Sequence, residues 1–249
     1  MDLQSRNIFL DTQYFVENAF DFAGQELTTL SKLAQKGSIS IFITDITESE
    51  IRKKIYEFIP AALGKLETRE TRFLKSVPAF KKFLNIYKKD KVIEFIEGGF
   101  IRFLKKSNVQ ILKSDKVDVL RVYNLYKENV PPFSTSKKTE FPDAFALETI
   151  RLWMNDGNRH AYILSGDSDW KNYINKFGYF AINDKPSLFH LEDLASFIDA
   201  IIRTDKALED EVSFADEMLI RKWNEINKFL IHSISRCSFI PDGPNDEEI

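Results

Sequence analysis

Cysteine is nearly absent from this chain. Cys237 is the single copy among 249 residues, so no disulfide can form within one molecule and a cysteine-rich zinc site is excluded. Histidine is almost as scarce, and His160, His190 and His232 are too scattered to show metal-ligand spacing. Only 9 glycines occur, with no glycine-rich phosphate loop and no G-x-S-x-G elbow. No apolar run approaches the roughly 18 residues that a membrane span requires. The opening Met1–Arg6 lacks the basic and apolar regions of a signal peptide. A reduced, cytoplasmic setting without membrane attachment is the expectation.

What remains is the composition of a globular domain, 43% apolar and 29% charged. A chain of this length buries roughly 70–75% of its unfolded surface, so its core needs no staple. The 22 phenylalanines recur at helical and strand spacings and read as core. Net charge is only −3, but it is unevenly spread. Lys65 to Lys116 holds 14 Lys/Arg against 6 Asp/Glu, whereas Asp205 to Ile249 holds 11 acids against 5 bases. The basic stretch suits phosphates, because that attraction depends on local charge; a solvated helix surface gives the same pattern.

Asn7–Leu10 is a short apolar run closed by Asp11-Thr12, which predicts a buried first strand. Leu27, Leu30, Leu33 and Ala34 then follow a helical repeat stopped by Gly37, and Ser38–Ile43 reads as a second strand ending at Thr44-Asp45. Ile51, Ile55 and Phe58 predict a helix up to Pro60, and residues 61–130 read as helical throughout. Pro131-Pro132 marks a loop, Pro142 opens a helix to about Asn155, and His160–Leu164 is a further strand before the turn Ser165-Gly166-Asp167-Ser168-Asp169. A last strand is expected over Gly178–Ile182, and two helical segments after Thr204 precede an acidic, disordered end. Alternating strands and helices predict an α/β three-layer sandwich around a mainly parallel sheet.

The acids fall where such a sheet places its ligands, beyond the carboxyl ends of the strands. Asp11 follows the first strand, Asp167 and Asp169 follow the strand at 162–164, and Glu50 lies early in the helix after the second strand. Asp143, Leu147 and Ile150 share one helical face at i, i+4 and i+7, so Asp143 points with the packed side. Two like charges 4 Å apart repel by about 4 kcal/mol at an effective dielectric near 20. Converging carboxylates therefore take up protons or a divalent cation, and all-oxygen ligands suit Mg²⁺ or Mn²⁺. Such sites hydrolyse phosphodiesters with no covalent protein nucleophile.

Each acid also has a purely structural reading. Asp11 can end its strand or cap the next helix, and Asp143 can offset a helix dipole. Thr47-x-x-Glu50 is a capping-box pattern, with Glu48 as the neighbouring substitute ligand. Asp167 can be simple turn chemistry, and Asp169 can support rather than ligate. Thr12 and Ser165 suit the orientation of acids or waters, Lys137 and Lys138 suit a substrate phosphate, and Trp170 suits base stacking or core packing.

Four segments together resemble the motifs of PIN-domain nucleases. Ile8-Phe9-Leu10-Asp11-Thr12 looks like the opening strand motif, and Thr44–Ile51 is similar to the segment carrying a glutamate, here Glu50. Phe141-Pro142-Asp143-Ala144 resembles the third-acid motif, and Ile163–Trp170 resembles the last, with a Ser-Gly-Asp-Ser-Asp form similar to the NYN branch. The resemblance covers about residues 7–200. It implies a PIN-like domain over 1–203 with a helical insertion at 61–130, a helical extension at 204–249, and Mg²⁺- or Mn²⁺-dependent endonucleolytic cleavage of RNA. Asp11, Glu50, Asp143 and Asp167 would be catalytic, with Asp11, Asp143, Asp167 and Asp169 as metal ligands and Thr12, Ser165, Lys137, Lys138 and Trp170 at the substrate.

By analogy with stand-alone bacterial members, a toxin or antiviral defence role on tRNA, mRNA or phage RNA is implied. The 93 positions between Glu50 and Asp143 exceed a minimal PIN domain, and the tail has no counterpart. That tail suits a homodimer or a regulatory protein partner. A haloacid-dehalogenase-type phosphohydrolase is disfavoured because Gln13 stands where its second Asp is needed. The competing readings are a structure-specific DNA nuclease and a non-catalytic RNA- or protein-binding scaffold.

Overall fold

The structure, a computed structural model, describes residues 2–66, 68–69, 72–86, 88–135, 138–157, 159–177 and 187–237. Lys137, the strand expected over 178–182 and the acidic end lie outside the described residues. The chain forms two compact units, Met1–Ile201 and Ile202–Ile249.

The first unit is built on five parallel strands: β1 (Asn7–Leu10), β2 (Ser40–Thr44), β3 (Gln110–Leu112), β4 (Ala161–Leu164) and β5 (Leu188–Leu191), in the order β3-β2-β1-β4-β5. The chain moves outward from β1 to β2 and β3, then crosses back to β4 and β5, so the topology reverses between β1 and β4. Ligand crevices open beyond the strand ends at such a reversal.

Strand alternation divides the core into two layers. Ile8 and Leu10 of β1 face α1 (Thr12–Glu17), α2 (Gln25–Gln35), α3 (Asp45–Lys65), α5 (Lys89–Lys106) and the first turns of α9 (Leu194–Cys237). Phe9 faces the other way, toward α6 (Val119–Lys127), α7 (Phe141–Asp156) and α8 (Ser168–Phe177). Phe9, Phe42 and Trp153 interlock there, with centroids 5.2 Å apart for Phe9–Phe42 and 4.5 Å for Phe42–Trp153. Helix α4 (Pro78–Ile86) completes the described elements, preceded by a 3₁₀ turn at Arg72–Ser76.

Three expectations from the sequence are corrected. The stretch 61–130 is not helical throughout, because β3 pairs in parallel with β2 and continues the sheet. Helix α3 does not stop at Pro60 but runs to Lys65. Ile51, Ile55 and Ile59 form one buried stripe along it, each worth about 1.5–3 kcal/mol on burial. That outweighs the roughly 3 kcal/mol of a proline inside a helix. After Thr204 the chain forms one helix to Cys237 instead of two segments. Within the second unit Leu208, Val212, Leu219 and Trp223 of this helix are exposed.

Helices α6, α7 and α8 are joined by a buried charge cluster. Glu148 of α7, 1% exposed, accepts from Arg121 Nε and Arg151 Nε at 2.6 Å each and from the Tyr173 hydroxyl at 2.8 Å. Burial and the neighbouring carboxylate push the Tyr173 phenol upward, so it remains a donor.

Candidate active site

Asp11 leaves the carboxyl end of β1 at the topological reversal. It is 4% exposed, its backbone N–H still bonds Leu164 O of β4 at 3.1 Å, and it is the N-cap of α1. One carboxylate oxygen accepts from Thr12 N at 2.6 Å and the other from the Ser165 hydroxyl at 2.7 Å. The capping reading of Asp11 is therefore real, but it accounts for one oxygen only. Thr12 uses its own hydroxyl to donate to Glu50 Oε2 at 3.1 Å, fixing a second acid beside the first.

Glu50 is released from helix capping. The N-cap of α3 is Thr44, whose side chain accepts from Thr47 N at 3.0 Å, one turn before the pattern anticipated from sequence. The neighbouring Glu48 pairs with Arg52 at 3.0 Å.

Asp143 stands in the first turn of α7, held by the indole N–H of Trp170, which donates to Asp143 Oδ1 at 3.0 Å. Trp170 is 2% exposed and packs in the core, so stacking on a substrate base is corrected to a positioning contact. Glu140, at the N-cap position of α7, hydrogen-bonds the Asp143 side chain. Sequence reasoning missed Glu140; its signal was the i, i+3 spacing to Asp143 at a helix start.

Burial and like charges raise all three acids. Burial pushes Asp11 up to about 6, against the pull of its Ser165 and Thr12 hydrogen bonds, and the Glu50 charge raises it further. Burial first, then the Glu140 hydrogen bond, push Asp143 up to about 8, and the charges of Asp11 and Glu50 add to this. Glu50 is also raised, chiefly by burial, with the Thr12 hydroxyl, Lys54 and Lys53 pulling it back and the Glu140 charge adding to the rise. Among the described residues none of the three forms an ion pair with Lys or Arg.

Asp167 is linked to this group through Ser165, whose hydroxyl oxygen accepts from Asp167 N at 3.1 Å. Asp167 Oδ1 in turn accepts from Asp169 N at 2.8 Å, which caps the start of α8 and leaves Asp169 buried in its first turn. A ring nitrogen of His190 lies 2.9 Å from Ser165 O and steadies the same turn from β5. Lys138 is exposed just ahead of α7.

Among the described residues, no three acidic, histidine or cysteine side chains are grouped closely enough to hold one metal ion in the conformation seen. The donor chemistry nevertheless fits a hard divalent cation. Asp11, Glu50 and Asp143 are oxygen donors with raised proton affinity and, among the described residues, no ion pair to Lys or Arg, a combination that an added cation relieves.

No helix among the described residues is long and apolar enough to cross a membrane. No curated protein and no solved structure matches the chain significantly. The family model of the PIN domain matches residues 8–170, from β1 to the Trp170 that holds Asp143. PIN domains are generally nucleases and typically use divalent metals. With that match over most of the first unit, on a parallel five-stranded sheet flanked by helices, the chain belongs to the PIN domain family.

Proposed function

We propose that this protein is an Mg²⁺- or Mn²⁺-dependent endoribonuclease. The observation that carries the reading is the group Asp11, Glu50 and Asp143 at the reversal of the sheet, in which Glu50 raises the proton affinity of Asp11 and both raise that of Asp143. Asp11 is buried, Glu50 and Asp143 are half-buried, and none has an ion pair among the described residues, an arrangement costly as structure alone that supports a functional use. Asp11 and Asp143 would hold the cation, with Asp167 and Asp169 as further oxygen ligands from the turn at Ser165. When bound, the cation polarises the scissile phosphate and makes an attacking water more acidic.

The chain's own residues supply the rest. Ser165 and Thr12 fix the orientation of Asp11 and Glu50 by donating one hydroxyl hydrogen bond to each. Glu50, its proton affinity raised by burial, suits the transfer of a proton to or from the attacking water. Lys138, with Lys137, suits the phosphate backbone of the substrate, and a toxin or defence role on tRNA, mRNA or phage RNA accords with this chemistry.

The test is incubation of wild type and Asp11→Asn with matched RNA and DNA in Mn²⁺, followed by mapping of cut ends. Cleavage of RNA by wild type alone is expected. Preferential cutting of DNA would replace the substrate. Equal cleavage by both proteins would remove the mechanism, and no cleavage by either would favour a binding scaffold.

A further inference from the structure

Helix α9 runs on into the second unit, where it carries large apolar side chains in the open. Leu208 is 49% exposed, Val212 60%, Leu219 66% and Trp223 63%. They stand at i, i+4, i+11 and i+15, so at 3.6 residues per turn they share one face, with Ala215 among them. Met218 and Ile220 border that face, and Phe214 stands apart from it. A helix draws most of its stability from packing such a face, yet α9 is the only element described in the second unit.

Two features of the sequence indicate the partner. The first is the period. Leu208, Leu219 and Leu230 recur every 11 residues, and so do Val212, Trp223 and Ile234. An 11-residue repeat is 3.67 residues per turn, close to the 3.6 of a straight helix, so the stripe scarcely drifts and suits packing along a second long helix. The second feature is charge. Over 206–220 the acids Glu209, Asp210, Glu211, Asp216 and Glu217 stand against Lys206 alone. Over 221–237 the bases Arg221, Lys222, Lys228 and Arg236 stand against Glu225 alone. Beside an identical helix in the same direction, acid meets acid and base meets base. Beside a reversed copy, each acidic half meets a basic half.

We propose that α9 pairs antiparallel with α9 of a second copy, making the protein a homodimer joined through its C-terminal extension. A two-fold pairing needs a surface that complements itself, and the reversed order of charge on α9 meets that need. Pairing about a centre at Arg221 sets Leu219 of one copy opposite Trp223 of the other, and Val212 opposite Leu230. The indole then lies near the middle of the contact, where aromatic anchors contribute most. From Leu208 to Ile234 the stripe is about 39 Å long at 1.5 Å per residue, which gives an extended contact. A different protein would have to match both the period and the reversed charge order, whereas a second copy carries both. The proposal is independent of the nuclease reading.

The full-length protein is examined by sedimentation equilibrium over a wide concentration range, and a monomer–dimer equilibrium is expected. Leu219→Asp raises the dissociation constant on the order of 30-fold or more, the scale for a central interface residue. Leu219→Met keeps the pairing, and so does Ser213→Asp, which puts the same charge on an exposed position off the stripe. Leu219 is exposed in a single copy, so its substitution leaves the first unit folded. Direction is read by cross-linking on a Cys237→Ser background, which removes the native thiol. A short bismaleimide joins a Val212→Cys copy to a Leu230→Cys copy and joins neither variant to itself. A monomer at every concentration overturns the proposal and is what a stripe reserved for another protein gives. An assembly larger than two, a dimer unmoved by Leu219→Asp, or self-linking of Val212→Cys equally overturns it.

Discussion

Asp143 and Glu148 lie five residues apart on α7, and the fold treats them in opposite ways. Glu148 is enclosed by Arg121, Arg151 and the Tyr173 hydroxyl, so its charge is met within the protein. Asp143 receives one indole N–H and faces Asp11, Glu50 and Glu140, which oppose its ionisation. The first acid closes a seam between three helices and asks nothing of solvent. The second is held at the strand ends among like charges and, among the described residues, without an ion pair.

The comparison breaks first in activity. Asp143→Asn is expected to lower Mn²⁺-dependent cleavage on the order of 10³-fold, the scale for removing a group that stabilises developing charge. Glu148→Gln, assayed well below its melting temperature, should stay within about tenfold of wild type. Similar losses in both variants would mean that the two acids are not different in kind.

Stability reverses the ranking. Glu148→Gln leaves two guanidinium groups without their acid, which costs about 3–5 kcal/mol when both partners are buried. Arg121 and Arg151 have side chains 38% and 29% exposed, so the lower end, about 3 kcal/mol, is expected, read as a large drop in Tm. An unchanged Tm would show that the cluster holds nothing together.

Asp143→Asn should do the reverse in EDTA. Asp11 and Asp143 ionise near 6 and 8 when folded, against a usual carboxylate value of 3.8. The folded state thus binds more protons than the unfolded state across that window, and stability falls as pH rises through it. Above about pH 8 the loss is complete, so the variant should melt roughly 2–6 °C higher than wild type there, with the gap closing below pH 4. A variant that melts lower at every pH would contradict the raised proton affinity.

The smallest effect belongs to Trp170→Phe. It removes one hydrogen bond worth about 1 kcal/mol and keeps the packing ring. Because the indole N–H favours the ionised form of Asp143, its loss should move the acidic limb of the pH–rate profile upward by a fraction of a unit to one unit. An unmoved limb would leave Trp170 as packing alone.

The sequence made the inner strands readable because each is an apolar run closed by a polar switch: Leu10 to Asp11, Ile43 to Thr44, Leu164 to Ser165. It hid β3, only three residues long within a basic helical stretch, whose identity depends on pairing with β2. It also hid β5, whose four residues Leu188–Leu191 are interrupted by the polar His190. The order of the acids was visible, but their company was not. The Ser165–Asp11 bond spans 154 residues and the Trp170–Asp143 bond spans 27, and no local pattern encodes such pairs. Glu50 shows the limit from the other side. Its capping-box spacing was genuine, yet Thr44 caps the helix a turn earlier and frees Glu50 to meet Thr12.

The central claim is that Asp11, Glu50 and Asp143 together await a divalent cation. Calorimetric titration of the full-length protein with Mn²⁺ at pH 7, repeated in buffers of different ionisation heat, counts both the ions bound and the protons displaced. The account predicts saturable binding with net proton release, abolished by Asp143→Asn and retained in Glu148→Gln. Binding that survives Asp143→Asn unchanged, or no binding at all, would contradict it.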